Sequence, residues 1–367
     1  MLIIDGDYPM ANGAIRSQRE LTVPIDQARS VPPDFPITTG RPDSAIMATI
    51  PEMRKAEVAV AIVKVLGCIK RDGHEHGDVR TDELSYAAAH GQLSYYRILE
   101  TRGFVRMLTT KSEFKEHMQM WSTAQNRDNL PVGFILGMEG ADPIVWPEQA
   151  HEWYENGLRV VSLSHYGVSR YSHGTGTGTD GGLQGDAVVL LREMDRLGMI
   201  LDVSHTSDES TRQGLDNFLG PVLSTHQNCR AITPGERQIP DDLLRRIIDR
   251  GAVIGHSMDT WMLYREGVDW ANIPPRRDVF PLSGVTLEDY CDHIDHVSQM
   301  AGNTLHSAIG GDTDGQGGSD GAPYEVDTVN DYQKVADVLD KRGYSQEDIE
   351  NVMYRNWQRF FDKWLPE

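Results

Sequence analysis

Short runs of Ile, Val and Leu recur along this chain, and nearly every one ends in a polar residue of the kind that holds a metal ion or moves a proton. The runs lie at 2–5, 46–50, 132–138, 160–165, 199–205, 222–226, 252–256 and 308–312. Segments of helical periodicity at 51–66, 84–101, 185–197, 241–250, 287–301 and 332–342 separate them. Apolar strands alternating with helices predict a parallel α/β fold. Eight runs match the strand number of a (β/α)8 TIM-like barrel, and one such domain accounts for residues 1–367.

Two stretches break the alternation. Residues 25–42 are too rich in Pro and Gly for regular structure and read as an inserted loop or lid, a candidate substrate gate. Residues 171–183, YSHGTGTGTDGGL, superficially resemble a phosphate loop but lack its GKS/T ending and do not join a strand directly to a helix, so they read as a flexible loop. The last helices, at 345–352 and 356–364, are expected to close the barrel bottom or form an interface.

Composition removes several function classes. A net charge of −20 argues against a nucleic-acid surface, which needs clustered Lys and Arg. Three widely spaced cysteines, Cys68, Cys229 and Cys291, form neither a disulfide framework nor a CxxC zinc knuckle. The start, Met1-Leu2-Ile3-Ile4-Asp5, has no basic region followed by an apolar one, and no run reaches membrane-spanning length. A soluble, cytoplasmic protein with no membrane partner is the expectation.

The polar residues at the strand ends are Asp5 and Asp7, Glu139, His165, His205, His226, His256, and the pair Asp312 and Asp314. In a (β/α)8 barrel these ends form one face, so residues far apart in sequence converge there. A hydrolytic metal centre needs imidazoles and carboxylates around zinc with one position left open for water. Glu139, His205 and His226 supply such a set, and Glu139, in GMEGAD, is placed to bridge two ions. Each has a plainer reading. A single His at a strand end is more often a hydrogen-bonded structural residue, which holds for His165 and His256 taken alone. His205 in DVSH and His226 in STH each follow an apolar strand on either side of one helix, which favours metal binding. His74 and His76 read as solvated loop, and His293 and His296 as surface or packing residues of the helix at 287–301. Of Asp312 and Asp314, which alternate, at most one need face the site.

The blocks GMEGAD, GLRVVSLSH, REMDRLGMILDVSHTSDES, PVLSTHQNCRAI with ERQIPDDLL, and AIGGDTDG, together with the ending RGYSQEDIENVMYRNWQRFF, resemble the membrane (renal) dipeptidase family of metallopeptidases. The resemblance runs in the family's order over about 137–315. It implies a zinc-dependent dipeptidase of EC 3.4.13 type. Glu139 would be the bridging carboxylate, and His205 and His226 would complete the second zinc site. His165 would contact the substrate and its transition state, Arg237 would grip the substrate's carboxylate, and Asp312 would sit by the free amine and shuttle a proton. The family also implies a homodimer. At the first metal motif the family reads DGHND, whereas this chain reads Asp5-Gly6-Asp7-Tyr8-Pro9. Asp7 stands at the His position and remains able to act as a ligand, but Pro9 cannot. The first site is therefore weakened, altered in metal preference, or empty, and one or two zinc ions are compatible with the sequence.

Three functions remain open at this point: a metallohydrolase of a dipeptide or related small amide, a one-metal relative performing amide hydrolysis or lyase chemistry on another metabolite, and a non-catalytic small-molecule binding barrel. All three have a small molecule as partner.

Overall fold

The computed structural model describes residues 1–30, 46–71, 77–274, 284–313 and 321–367. Among these residues nine strands run in parallel pairs: β1 (Ile3–Tyr8), β2 (Val58–Val65), β3 (Val105–Met107), β4 (Val132–Glu139), β5 (Leu158–Ser162), β6 (Ile200–Asp202), β7 (Val222–Leu223), β8 (Ile254–His256) and β9 (Ser307–Ile309). One sheet has the order β1-β2-β4-β5-β6-β7, and β8 pairs β9. β4 is long enough to take β2 along one edge while β3 and then β5 share the other. Main-chain bonds Ser224 N–H to Val253 O (3.0 Å) and Gly255 N–H to Ser224 O (2.8 Å) tie β7 to β8. Asp312 N–H donates to Asp7 O (3.3 Å), so the chain leaving β9 returns to β1 and the sheet curls into the TIM-like barrel.

Every residue of β1, β2 and β4 is buried, as strands with both faces covered require. Among the described residues the ring has eight strands, with β3 as an extra beside β4, yet one expected strand lies elsewhere. Residues 46–50 lead instead into a helix, Ile50–Lys55, because Thr49 accepts the N–H of Glu52 (3.3 Å) and Pro51 suits the first turn. The second strand is Val58–Val65, inside the expected helix at 51–66. The helix Lys111–Thr123, absent from the expectation, begins in a capping box of Thr110 and Glu113.

Of the expected irregular insertion at 25–42, Ile25–Ser30 is a short helix whose Ile25 and Ala28 are buried, and the rest lies outside the described residues. The segment 171–183 is pinned rather than loose, through bridges Val168–His173, Tyr166–Thr175, Ser172–Leu183 and Gly174–Thr206. At the C-terminus, Gln346–Glu350, a π turn at Asn351–Arg355 and Asn356–Trp364 follow one another. Trp357 Nε1 donates to Ile309 O (2.9 Å) and its ring stacks on Phe361, with centroids 5.8 Å apart, so this last helix seals β9.

Candidate metal centre

Glu139 ends β4, and His165, His205, His226 and Asp312 each follow the end of their strand by a few residues, while Asp7 is the next-to-last residue of β1. The barrel therefore brings them to one face. Oε1 of Glu139 lies 3.2 Å from Nε2 of His226, 3.4 Å from Nε2 of His205 and 3.8 Å from Nε2 of His165. Ligand atoms of Glu139, His205 and His226 all fall within 4.8 Å of one another, and a second group of that kind joins Asp7, His226 and Asp312. Asp314, His74 and His76 lie outside the described residues.

The ring orientations are set from behind. Thr175 Oγ1, from the Gly-rich segment, is 2.9 Å from Nδ1 of His205, and Thr225 Oγ1 is 2.9 Å from Nδ1 of His226. With each Nδ1 engaged, each Nε2 faces Glu139, which is how imidazole ligands are aimed. His205 and Asp312 adopt left-handed backbone, φ 65° and 59°, uncommon for residues with a Cβ and typical of strained functional positions.

Electrostatics separate the groups. Burial, with Arg237 and the other histidines adding to it, holds His205 well below the usual imidazole range, so its ring is neutral and keeps a lone pair. Burial likewise lowers His165, against the pull of Glu139. Burial opposes a charge on His226, yet Asp7 and Asp312 outweigh it and push its pKa up to about 10. Burial disfavours the Glu139 carboxylate too, but His165, His226 and Lys64 outweigh it and hold it below the carboxylate range. Asp312 is pushed up to about 7 by burial, which His226 opposes and Asp259 and Asp7 reinforce. Ser257 Oγ donates to Asp312 Oδ2 (3.0 Å).

The donor set fits a metal ion. Two imidazole nitrogens and a carboxylate oxygen, all buried, are a zinc-type triad, and Nε2 of His226 and both carboxylate oxygens of Asp7 are buried without an aligned hydrogen bond. Arg237 is buried next to this group, its Nη1 donating to Gln227 Oε1 (2.9 Å) and its Nη2 to His226 O (3.0 Å). His256 is not part of the centre: its Nε2 is 3.1 Å from Ser307 Oγ on the neighbouring strand, and burial pushes its pKa down to about 3. His293 is buried behind it, Nδ1 accepting Cys229 N–H (3.0 Å), and His296 pairs with Asp241 at the surface (2.8 Å). Asp5 lies beneath Asp7, accepting its N–H (3.2 Å), and burial raises its pKa well above the usual range.

Sequence reasoning missed Lys64, Asp202, Thr175 and Thr225. Lys64 is a single cation in the apolar run VAVAIVKV, and that irregularity was the available signal. Its Nζ, fully buried, lies 3.1 Å from Asp7 Oδ1 and 3.0 Å from both Asp202 Oδ2 and Thr225 Oγ1.

Fold and centre together define a TIM-like barrel with a candidate metal centre at the face where its strands end. The chain belongs to the membrane dipeptidase family, peptidase family M19, whose model matches residues 43–364. An uncharacterized dipeptidase of Schizosaccharomyces pombe is 28% identical over 228 residues, 61% of this chain and 51% of that protein. Dipeptidase verJ of Clonostachys rogersoniana is 30% identical over 234 residues, 63% and 55% of the two chains. The chain spans about half the length of the curated relatives it matches. A metallopeptidase from Rhodobacter sphaeroides, solved with a phosphinate mimic of the dipeptide L-Ala-D-Ala, shares the fold with TM-score 0.77 at 18% identity over 99% of both chains. The dipeptidase AC, a metallopeptidase of family M19, gives 0.76 at 18% over 100% of this chain and 99% of that one. No described helix is long and apolar enough to cross a membrane.

Proposed function

We propose that this chain hydrolyses the amide bond of a dipeptide or a related small amide, as a zinc-dependent enzyme of EC 3.4.13 type. The observation that carries the reading is one buried Glu139 oxygen faced by Nε2 of His205 and of His226, 3.4 and 3.2 Å away. Glu139, His205 and His226 would hold the zinc, which when bound would supply Lewis acidity toward a water molecule.

Hydrolysis adds the oxygen of water to the carbonyl carbon, breaks the C–N bond and delivers a proton to the departing amine. Asp312, with a pKa near 7, is balanced to accept the water's proton and return it to the amine. His165, its Nε2 3.8 Å from Glu139 Oε1 and its ring centroid 4.4 Å from that of His205, is the group assigned to the substrate's carbonyl oxygen as it gains charge. Arg237, anchored through both terminal nitrogens, presents a planar cation for a substrate carboxylate.

The test is Glu139→Gln, which keeps the side chain's shape and removes its charge. Hydrolysis across a panel of small dipeptides and amides is expected to fall at least about 100-fold, as when an electrostatic element of a catalytic site is removed. Unchanged turnover on every substrate that the native protein cleaves would sink the reading.

A further inference from the structure

Lys64 is a cation built into the barrel interior. It projects from β2, no part of its side chain is exposed, and its stem lies over Gly137 of β4, where any Cβ would come within 2.9 Å of Lys64 Cδ. Asp202 Oδ2 accepts both its ammonium (3.0 Å) and the Thr225 hydroxyl (2.6 Å), while Asp202 Oδ1 accepts the N–H groups of Ser204 (2.9 Å) and Thr225 (3.1 Å). Asp7 Oδ1 lies between the ammonium, at 3.1 Å, and Nδ1 of His226, at 3.2 Å.

His226 appears in both candidate ligand groups. A bound ion must displace the proton that Asp7 and Asp312 favour on His226, and the neutral imidazole then has one lone pair, so His226 can serve one of the two groups and not both. Its Nε2 points to Glu139, whereas its Nδ1 points to Asp7 and the Thr225 hydroxyl. A dication bound at Asp7 Oδ1 would also stand a few ångströms from the ammonium, two like charges at side chains buried from solvent and so poorly screened.

We propose that the Lys64 ammonium occupies, as a permanent positive charge, the role of a second metal ion, so that the centre holds one ion on Glu139, His205 and His226. Asp7 is then a positioning residue, the counter-ion of Lys64 and the orienter of His226, and not a ligand. The inference rests on the metal-centre reading above.

The experiment is titration of the metal-free protein with Co(II), following ligand-field absorption, with zinc per chain counted by elemental analysis after loading and desalting. The native protein is expected to saturate at one equivalent and to retain one zinc. Asp7→Asn is expected to keep that stoichiometry, and Glu139→Gln to lose it. Lys64→Met, which removes the charge and keeps the stem, is expected to take up more than one equivalent, the second on the carboxylates of Asp7 and Asp312 without His226.

Saturation of the native protein at two equivalents, or loss of the ion in folded Asp7→Asn, overturns the inference and leaves the hydrolase reading intact. Saturation of a folded Lys64→Met at one equivalent overturns the stand-in role. No specific binding by the native protein overturns the metal-centre reading itself. If Lys64→Met does not fold, the counts on the native protein and on Asp7→Asn decide.

Discussion

Oδ1 of Asp7 lies 3.2 Å from Nδ1 of His226, on the edge of the ring opposite the nitrogen that faces Glu139. A carboxylate behind an imidazole fixes which nitrogen carries the proton and makes the other a better donor to a metal. Replacing Asp7 by Asn keeps the size and removes the charge. The variant is expected to bind zinc about 10–100-fold more weakly, the usual cost of removing such a partner. Competition with a chromophoric chelator measures it, and an unchanged affinity would show that Asp7 does nothing for the ring.

Thr175 offers an independent check on how His205 is aimed. Thr175→Val is close in shape and removes only the hydroxyl 2.9 Å from Nδ1 of His205. Zinc affinity is expected to drop about 10-fold, with thermal stability nearly unchanged. A variant that binds zinc as the native protein does would remove the Gly-rich segment from the site's support.

Arg237→Lys replaces a planar fork with a point charge that cannot reach Gln227 Oε1 and His226 O together. The KM for dipeptides with a free C-terminal carboxylate is expected to rise more than about 10-fold, with that for C-terminally amidated analogues little changed. Equal losses on both substrate series would mean that Arg237 supports the fold and does not read the carboxylate.

His117 provides a pH test away from the centre. It sits on the helix Lys111–Thr123 with Nε2 2.9 Å from Ala59 O, and burial pushes its pKa down to about 4. An unfolded histidine titrates near 6.5, so between about pH 6.5 and 4 the unfolded chain binds a proton that the fold refuses. Stability therefore falls as pH drops through this window, by up to about 1.4 kcal/mol per pH unit for this one group. His117→Gln keeps a donor for Ala59 O and cannot charge. Its unfolding free energy, followed in urea from pH 7 to 4, should lose up to one proton's worth of that slope. An identical pH profile for the two proteins would show that His117 is protonated inside the fold.

Much of the centre was legible in the chain itself, because a parallel barrel strand announces itself as an apolar run and its functional residue follows the run. Glu139, His165, His205, His226 and Asp312 all stand where that rule places them. The rule also drew in His256, which ends β8 yet bonds sideways to Ser307. Position along a strand does not say what the ring meets. The second strand was misplaced because PEMRKAE continues into VAVAIVKV with spacing that a helix also satisfies. The start signal, Thr49 followed by Glu52, marks only the short helix that precedes it.

Local pattern and chain order alone set the alternation of strands and helices, and with it which residues arrive at one face. What stands beside them was decided by the tertiary structure. Lys64 meets Asp202 across 138 residues of chain, and Asp7 comes between Lys64 and His226 only because the sheet curls until the far strands come round to the first. Read as part of a helix, Lys64 belongs on a solvated face. On a buried strand the same side chain points into the barrel, where, shut off from solvent, its charge must be met by carboxylates.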